Sequence, residues 1–286
     1  MRSNRRGHDP PIPEVSQVQC DPSSAKDLDC VDYGLRLLSM IRLLLPVIPL
    51  EWRPFLRRMR RRVFELLGSD RFSRPSQHDI DRKIQKYLPQ RNGFFIEAGA
   101  NDGYSQSNTY YLEKMRGWNG ILIEGIPTLY EQCRRERPGS RVFNCALVAA
   151  DHNSPSITMH YANLMSLVDG ALRSSAAEQN HVMQGAHIQH IEPYQISVPA
   201  RTLTSVLDEA AVQRIDLLSL DVEGYELNVL NGLDLRKYRP KFIIAEVWFR
   251  QEIDDYLFRW GYVPIENLSD RDVLYGDRGE FPENHI

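Results

Sequence analysis

Apolar runs and helix-like repeats alternate along the chain from residue 77 onward. The repeats, such as SNTYYLEKMRG (107–117), have apolar residues at helical spacing and end at glycine or proline. The runs predict buried strands: FFIEAG (94–99), GILIEG (120–125), RVFNCALVA (141–149), IDLLSLDVEG (215–224) and KFIIAEVWF (241–249). Strands that alternate with helices in this way predict an α/β fold, a mostly parallel sheet with helices on both faces.

Three other segments complete the predicted domain, which we place at residues 76–286. SITMHYA (156–162) alternates like an added antiparallel strand, and YVPIENL and DVLYG (262–276) are typical of a closing pair of strands. Residues 163–195 are less regular, and we interpret them as a lid or insertion.

Residues 1–75 form an extension with a polar, proline-containing start. The apolar run at 35–50 is too short for a spanning helix and is broken by two prolines, and six arginines follow within residues 53–62. One interpretation is a pair of amphipathic helices packed on the domain or on a second subunit. The other is a peripheral membrane contact through residues 35–67, with the arginines on anionic headgroups.

Composition narrows the choice of partners. Hydrophobic residues make up 42% of the 286 residues and charged residues 26%, which suits a folded domain with a sizeable core. The net charge of −3 provides no overall basic field, so we expect no nucleic-acid partner. Four cysteines show neither a CxxC pair nor metal-like spacing, which indicates reduced thiols and a cytoplasmic protein, with or without membrane association.

The polar turn after the first strand reads E-A-G-A-N-D-G from Glu97 to Gly103. Its glycines allow a tight turn and a close approach to a ligand. The dinucleotide fingerprint GxGxxG is absent, and Glu97 would repel a pyrophosphate. An acid at this place suits a ligand with a cationic group, such as an ammonium or a sulfonium. The absent fingerprint also argues against a nicotinamide-dependent enzyme.

Glu124 ends the second strand, where an acid typically accepts hydrogen bonds from both ribose hydroxyls. A glycine turn and a ribose acid together predict an adenosine-bearing cofactor with a positive tail, S-adenosylmethionine. The predicted cofactor-binding residues are Glu97, Gly99, Ala100, Asn101, Asp102, Ser107, Asn108, Glu124, Ile126, Ala146 and Asp221.

A second polar cluster, LDVEGYE, follows the strand at 215–220. Asp221 and Glu223 lie there, and Glu246 ends the next strand in the same way. Such carboxylates can bind a divalent cation, accept a proton from a substrate hydroxyl, or bind the cofactor's ammonium. We favour a catalytic or binding role for Asp221 and Glu223, and keep Asp221, Glu223 and Glu246 as metal candidates. His187, in the predicted lid, is the alternative proton acceptor.

At these residues the sequence resembles the FkbM family of S-adenosylmethionine-dependent methyltransferases, and it is also similar to the related Star-like branch. The resemblance rests on FFIEAGANDGYSQSNTYYLE, GWNGILIEGIPTLYEQC, IDLLSLDVEGYELNVLNGL and PKFIIAEV, and covers roughly residues 76–275. It implies a Rossmann-like class I methyltransferase fold with a seven-stranded sheet and a reversed last strand. Gly125, Ile126 and Pro127 follow Glu124, where the family often has proline directly after the acid.

The resemblance further implies O-methylation of a hydroxyl on a sugar, glycan or natural-product small molecule. The alternative is a non-catalytic Rossmann-like module for binding or trafficking, docked on membranes through its basic N-terminal segment. The retained Gly99, Asp102 and Glu124 argue against that alternative, because a degenerate module need not keep a ribose acid.

Overall fold

The structure is a computed structural model that describes residues 52–281. The chain divides into two compact units, Met1–Arg60 and Arg61–Ile286, and the fold below is that of the second. The expected tail, and residues 35–51 of the expected membrane or subunit contact, lie outside the described residues. Within residues 52–281, no helix is both long enough and apolar enough to cross a bilayer.

Helices and strands alternate as the sequence predicts. The helices are α1 (Arg53–Leu66), α2 (Ile80–Lys83), α3 (Tyr110–Arg116), α4 (Pro127–Glu136), α5 (Ser175–Gln189), α6 (Leu203–Glu209), α7 (Glu226–Asn231) and α8 (Arg250–Arg259). The strands are β1 (Phe94–Ala98), β2 (Asn119–Glu124), β3 (Arg141–Asn144), β4 (Ala146–Leu147), β5 (Ser156–Tyr161), β6 (Leu167–Val168), β7 (Tyr194–Arg201), β8 (Leu217–Leu220), β9 (Phe242–Glu246), β10 (Tyr262–Asn267) and β11 (Asp272–Asp277).

A seven-stranded sheet forms the centre, in the order β10-β11-β9-β8-β1-β2-β3. Its strands run parallel except β11, which is antiparallel to both neighbours. This is the Rossmann-like class I methyltransferase arrangement, with the reversed last strand that the resemblance implies. The expected fold class is therefore confirmed.

The central strands read as continuous apolar runs because both faces of the sheet are covered. Phe95 packs with Leu112 and Trp118 on one face, whereas the next residue, Ile96, packs with Val206 on the other. Both Phe95 and Ile96 are fully buried. Alternation of hydrophobic and polar residues is lost here because neither face meets water.

The register aligns the carboxyl ends of four strands. Ala98 of β1 is paired with Ile123 of β2 and with Leu220 of β8, and Leu220 is paired in turn with Ala245 of β9. The residues that follow these four therefore form a row along one edge of the sheet.

A second, four-stranded sheet, in the order β4-β7-β5-β6, corrects the predicted strand at 141–149. The chain leaves the central sheet at Cys145, and β4 pairs with β7 instead. The sequence does not reveal this break, because the residues on both sides of Cys145 are suitable for a buried strand. The strand β7 was not predicted, although its Val198 is buried in a cluster with Met159.

The expected lid at 163–195 is also corrected in part. Much of it is the helix α5, whose first turn is capped by the Ser174 side chain accepting from the backbone N–H of Ala177. Val182 of α5 packs in a buried cluster with Ala162 and Leu167. The segment therefore has an ordered scaffold rather than the irregular structure that the sequence predicts.

Residues 61–75, which we expect to lie outside the methyltransferase domain, pack on it. Tyr110 donates a hydrogen bond from its hydroxyl to Glu65 (2.9 Å), and Tyr104 donates to the backbone oxygen of Phe72 (2.8 Å). The buried Arg61 forms an ion pair with Glu136.

Candidate active site

Four residues form the row at the carboxyl edge of the sheet. Gly99 follows β1, Glu124 ends β2, Asp221 follows β8 and Glu246 ends β9. The backbone N–H of Gly99 donates to the oxygen of Ile123, and that of Asp221 donates to the oxygen of Ala98, both at 3.1 Å. The hydrogen-bond ladder of the sheet thus fixes the row. In open parallel sheets, ligands bind outside this edge.

Gly99 is required where β1 meets the end of β8. Its φ is +82°, and a Cβ atom there would lie 1.8 Å from the backbone oxygen of Asp221. A side chain is therefore excluded by strain and by direct overlap. The close approach joins the turn after β1 to the carboxylates after β8.

The glycine turn, residues 99–107, is organised by its own side chains. Asn101 adopts the left-handed conformation (φ +47°), and its backbone N–H donates to Glu124 Oε2 at 2.8 Å. Asp102 Oδ1 accepts from the backbone N–H groups of Tyr104 (2.9 Å) and Ser105 (2.7 Å). Asp102 thus shapes the turn.

Glu124 is buried and keeps capacity for a ligand. One oxygen accepts from Asn101 and the other from the backbone N–H of Ile126, also at 2.8 Å. Each carboxylate oxygen has two lone pairs, so one on each oxygen can still receive a hydroxyl. Burial raises the pKa of Glu124 to about 7, and hydrogen bonds from the backbone of Ile126, Asn101 and Gly125 work against that rise.

Glu97 has a different task from the expected one. Its carboxylate accepts from the Ser107 hydroxyl (2.8 Å), the Thr109 hydroxyl (2.6 Å) and the backbone N–H of Asn108 (2.8 Å). The guanidinium of the fully buried Arg137 lies 3.6 Å away. These donors occupy the carboxylate, so Glu97 joins the glycine turn to α3 and α4 rather than offering a free charge to a cation.

A pocket with about 870 Å³ of empty space, including its open mouth, lies along the row. Ten of the predicted site residues line it: Glu97, Gly99, Ala100, Asn101, Ser107, Asn108, Glu124, Ala146, Asp221 and Glu223. The structure therefore brings most of the predicted cofactor and catalytic residues into one cavity.

Four predicted site residues do not line this pocket. Asp102 is folded into its turn, and Ile126 is fully buried in the cluster formed with Leu129 and Ala146. His187 is exposed on α5, because it lies on the side opposite the buried Ala162 cluster. Glu246 lies beside the pocket. The structure therefore places Asp102, Ile126 and His187 away from the lining of this pocket.

The second sheet supplies lining residues that sequence reasoning missed. They include Met159 of β5, Val168 of β6, and Asn163 between these two strands; Tyr225, which precedes α7 and is outside that sheet, also lines the pocket. Their positions follow from tertiary packing, which hydrophobic periodicity does not encode. Asn163 adopts φ +54° and accepts a hydrogen bond from the Asn101 side chain (3.2 Å), so it connects the 163–168 segment to the glycine turn.

The acid cluster consists of Asp221, Glu223 and Glu246. One carboxylate oxygen from each lies within 4.8 Å of the others. Burial, followed by the charges of Glu246 and Glu223, raises the pKa of Asp221 well above its usual range. Glu223 is held at φ +56°, a conformation that non-glycine residues rarely adopt and that is common at functional sites.

One end of the pocket suits a nucleoside. Glu124 offers two acceptors to a ribose diol, and Cys145, Ala146, Leu147 and Met159 provide an apolar wall for a base. The other end carries the carboxylates of Asp221 and Glu223, which complement a cationic tail. The residues present therefore fit S-adenosylmethionine, which when bound supplies an electrophilic methyl group on a sulfonium.

The sequence profile of the methyltransferase FkbM domain matches residues 97–264, more than half of the chain. The chain belongs to the FkbM methyltransferase family. This membership confirms the expected cofactor, S-adenosylmethionine, and the expected enzyme class, a methyltransferase. The alternative of a non-catalytic module is not favoured.

This FkbM-family methyltransferase is similar to two other methyltransferases. It is 25% identical over 183 residues to methyltransferase sdnD of Sordaria araneosa, across 55% of this chain and 67% of that protein. It is 27% identical over 158 residues to methyltransferase 1 of Beauveria bassiana (strain ARSEF 2860), across 50% of this chain and 59% of that protein.

Among solved structures, the FkbM-family chain is similar to methyltransferase FkbM from Methylobacillus flagellatus KT. The identity is 11% and the TM-score 0.40, over 79% of this chain and 60% of that one.

Proposed function

We propose that this methyltransferase acts on oxygen, methylating a hydroxyl of a sugar, glycan or natural-product small molecule. The supporting observation is that Glu124 and Asp221 line one pocket on opposite sides of Gly99. A cofactor held at Glu124 would extend toward Asp221, which places the reacting end beside a carboxylate.

A carboxylate at that point suits a hydroxyl acceptor. A neutral hydroxyl has to release its proton as it becomes methylated, so a nearby proton acceptor accelerates the reaction. Asp221 takes this role, and the pocket walls orient the acceptor for in-line attack, since positioning supplies much of the acceleration.

Polar groups elsewhere in the pocket support a hydroxyl-rich acceptor. Asn108, Asn163 and Ser166 line the same cavity as Asp221. Asn108 is partly committed, because its amide donates to the Ser219 hydroxyl at 3.1 Å. Asn163 and Ser166 lie between β5 and β6, so the second sheet contributes polar groups to this cavity.

The test is an Asp221→Asn variant assayed for S-adenosylhomocysteine release with a set of monosaccharide, glycan and polyketide acceptors. Turnover should fall by about 10²–10⁴-fold, the usual contribution of a general base, and this fall should be far larger than the loss of S-adenosylmethionine affinity. Asp255→Asn, on the exposed face of α8, is the matched control and should keep full turnover. Equal losses of turnover and affinity, or methylation at nitrogen, would contradict the proposal.

A further inference from the structure

The acid cluster has little positive charge to balance it among the described residues. Arg271 Nη1 lies 3.8 Å from Glu246 Oε1, and its side chain is half exposed. Trp248 donates from its indole nitrogen to the other oxygen of Glu246 at 2.8 Å. The charge of Asp272, a residue of the adjacent strand β11, adds further repulsion to Glu246 and Asp221.

A buried imidazole faces the same cluster. His181 of α5 is 8% exposed, and its Nε2 atom lies 3.3 Å from Glu223 Oε2. This nitrogen has no hydrogen-bond partner among the described residues. The ring also packs edge-on against Trp248, with 5.2 Å between ring centroids, so it is held in place. A buried polar atom without a partner is costly, and a ligand at this point would remove the cost.

These distances match the spacing of ligands around a divalent cation. Oxygen ligands at about 2.1 Å from a small cation are roughly 3 Å apart when adjacent and about 4.2 Å apart when opposite. The His181–Glu223 distance of 3.3 Å fits an adjacent pair, and the three carboxylate oxygens, all within 4.8 Å of one another, lie close enough together to reach one cation.

We propose that Asp221, Glu223, Glu246 and His181 bind a divalent cation that holds the acceptor hydroxyl beside the methyl donor. The role in catalysis rests on the proposed O-methyl transfer, whereas the cation site does not. Carboxylates suit Mg²⁺ and Mn²⁺, and an added imidazole favours Mn²⁺ over Mg²⁺. The residue of α5 that takes part in this proposed site is His181, and not the exposed His187.

The cation would assist the chemistry by lowering the pKa of the bound hydroxyl. The hydroxyl proton would pass to the Asp221 carboxylate. The acceptor oxygen then forms its bond to the methyl carbon as the carbon–sulfur bond breaks. The electron pair of that bond stays on sulfur, which becomes the neutral thioether of S-adenosylhomocysteine.

The direct test uses the full chain, stripped with a chelator and titrated with Mn²⁺, with free Mn²⁺ followed by electron paramagnetic resonance. We expect saturable binding at a single site. Asp221→Asn and Glu246→Gln should each weaken it by more than about tenfold. Glu252→Gln, which removes an exposed carboxylate paired with Arg173, is the control and should bind as the native chain does.

A spectroscopic readout tests the imidazole separately. Chain labelled with ¹⁵N-histidine should show nitrogen coupling to bound Mn²⁺ by pulsed resonance, and His181→Gln should abolish it, whereas His187→Gln should not. Absence of saturable binding at millimolar Mn²⁺, binding unchanged in Asp221→Asn, or coupling retained in His181→Gln would overturn the proposal.

The two proposals fail in different ways. S-adenosylmethionine binding is measured on the same stripped chain. Cofactor binding and hydroxyl methylation without Mn²⁺ binding would overturn the cation site and leave the proposed function intact. Mn²⁺ binding without hydroxyl methylation would overturn the proposed function and leave the cation site intact.

Discussion

Glu97 and the acid cluster lie at the same edge of one sheet, yet their carboxylates have opposite surroundings. Glu97 accepts hydrogen bonds from three donors and faces the guanidinium of Arg137. Asp221, Glu223 and Glu246 crowd one another within 4.8 Å with a half-exposed arginine nearby. The first group is complete without a ligand and fixes the glycine turn, whereas the second is the group that we propose to bind a cation.

This difference separates residues that hold the shape of the site, which we call the framework, from residues that take part in binding and catalysis. Groups whose hydrogen bonds are satisfied within the protein stay in place when ligands come and go, which suits the part that holds a nucleoside. Groups left with unbalanced charge are poised to interact with a proton or a cation. Substitutions in the framework should therefore change stability, and substitutions in the acid cluster should change turnover.

The largest effect is expected for Arg137→Met. Arg137 is fully buried and pairs with Glu113 at 2.7 Å as well as with Glu97, so its loss removes the guanidinium that both carboxylates face. Breaking such a pair costs about 3–5 kcal/mol. Urea unfolding should show a fall of this size, whereas Arg173→Met, in an exposed pair with Glu252, should lose no more than about 1 kcal/mol. Similar losses in both variants would contradict the framework role.

Gly99→Ala should have the next largest effect. The added Cβ atom would overlap the oxygen of Asp221 in a backbone conformation that already disfavours side chains. Strain and overpacking each cost about 1–3 kcal/mol. Gly170→Ala is a matched control, since Gly170 has φ +87° but nothing within 4 Å of a new Cβ. The unfolding free energy should fall clearly more for Gly99→Ala, and an equal fall would show that the close approach relaxes readily.

A smaller effect concerns pH and cofactor affinity. Ribose hydroxyls donate to the ionised form of Glu124, whose pKa burial raises to about 7. The affinity for S-adenosylmethionine should therefore be full above pH 7 and should weaken as the pH falls below it, by roughly tenfold between pH 8 and pH 6. Calorimetry at both pH values measures this change. Glu124→Gln should bind S-adenosylmethionine more weakly, and its affinity should not change with pH in this way. An unaltered pH dependence in the variant would assign the titrating proton to another group.

The sequence predicts the parts of the site that depend on strand ends. The apolar runs of β1, β2, β8 and β9 are clear because both faces of these strands are buried, and Glu124 and Asp221 follow directly from where the runs stop. To predict that these strand-end residues lie side by side, one needs only to assume that the strands are parallel and in register.

Other parts depend on partners that lie far away in the chain. Glu97 is interpreted correctly only when Arg137 is seen beside it, and His181 only when α5 is folded against Trp248. Neither pairing produces a periodic pattern. The break at Cys145 is not visible in the sequence for a related reason. Buried apolar residues are suitable for a strand of either sheet, so the pattern does not show where the chain passes from one sheet to the other.

The most direct test of the account is calorimetric binding of S-adenosylmethionine to the purified chain at pH 8, beside Glu124→Ala and the control Glu252→Ala. We expect micromolar binding by the native chain and the control, and loss of binding in Glu124→Ala. Absence of binding by the native chain, or equal binding by Glu124→Ala, would contradict the assignment of this edge of the sheet as the methyl-donor site.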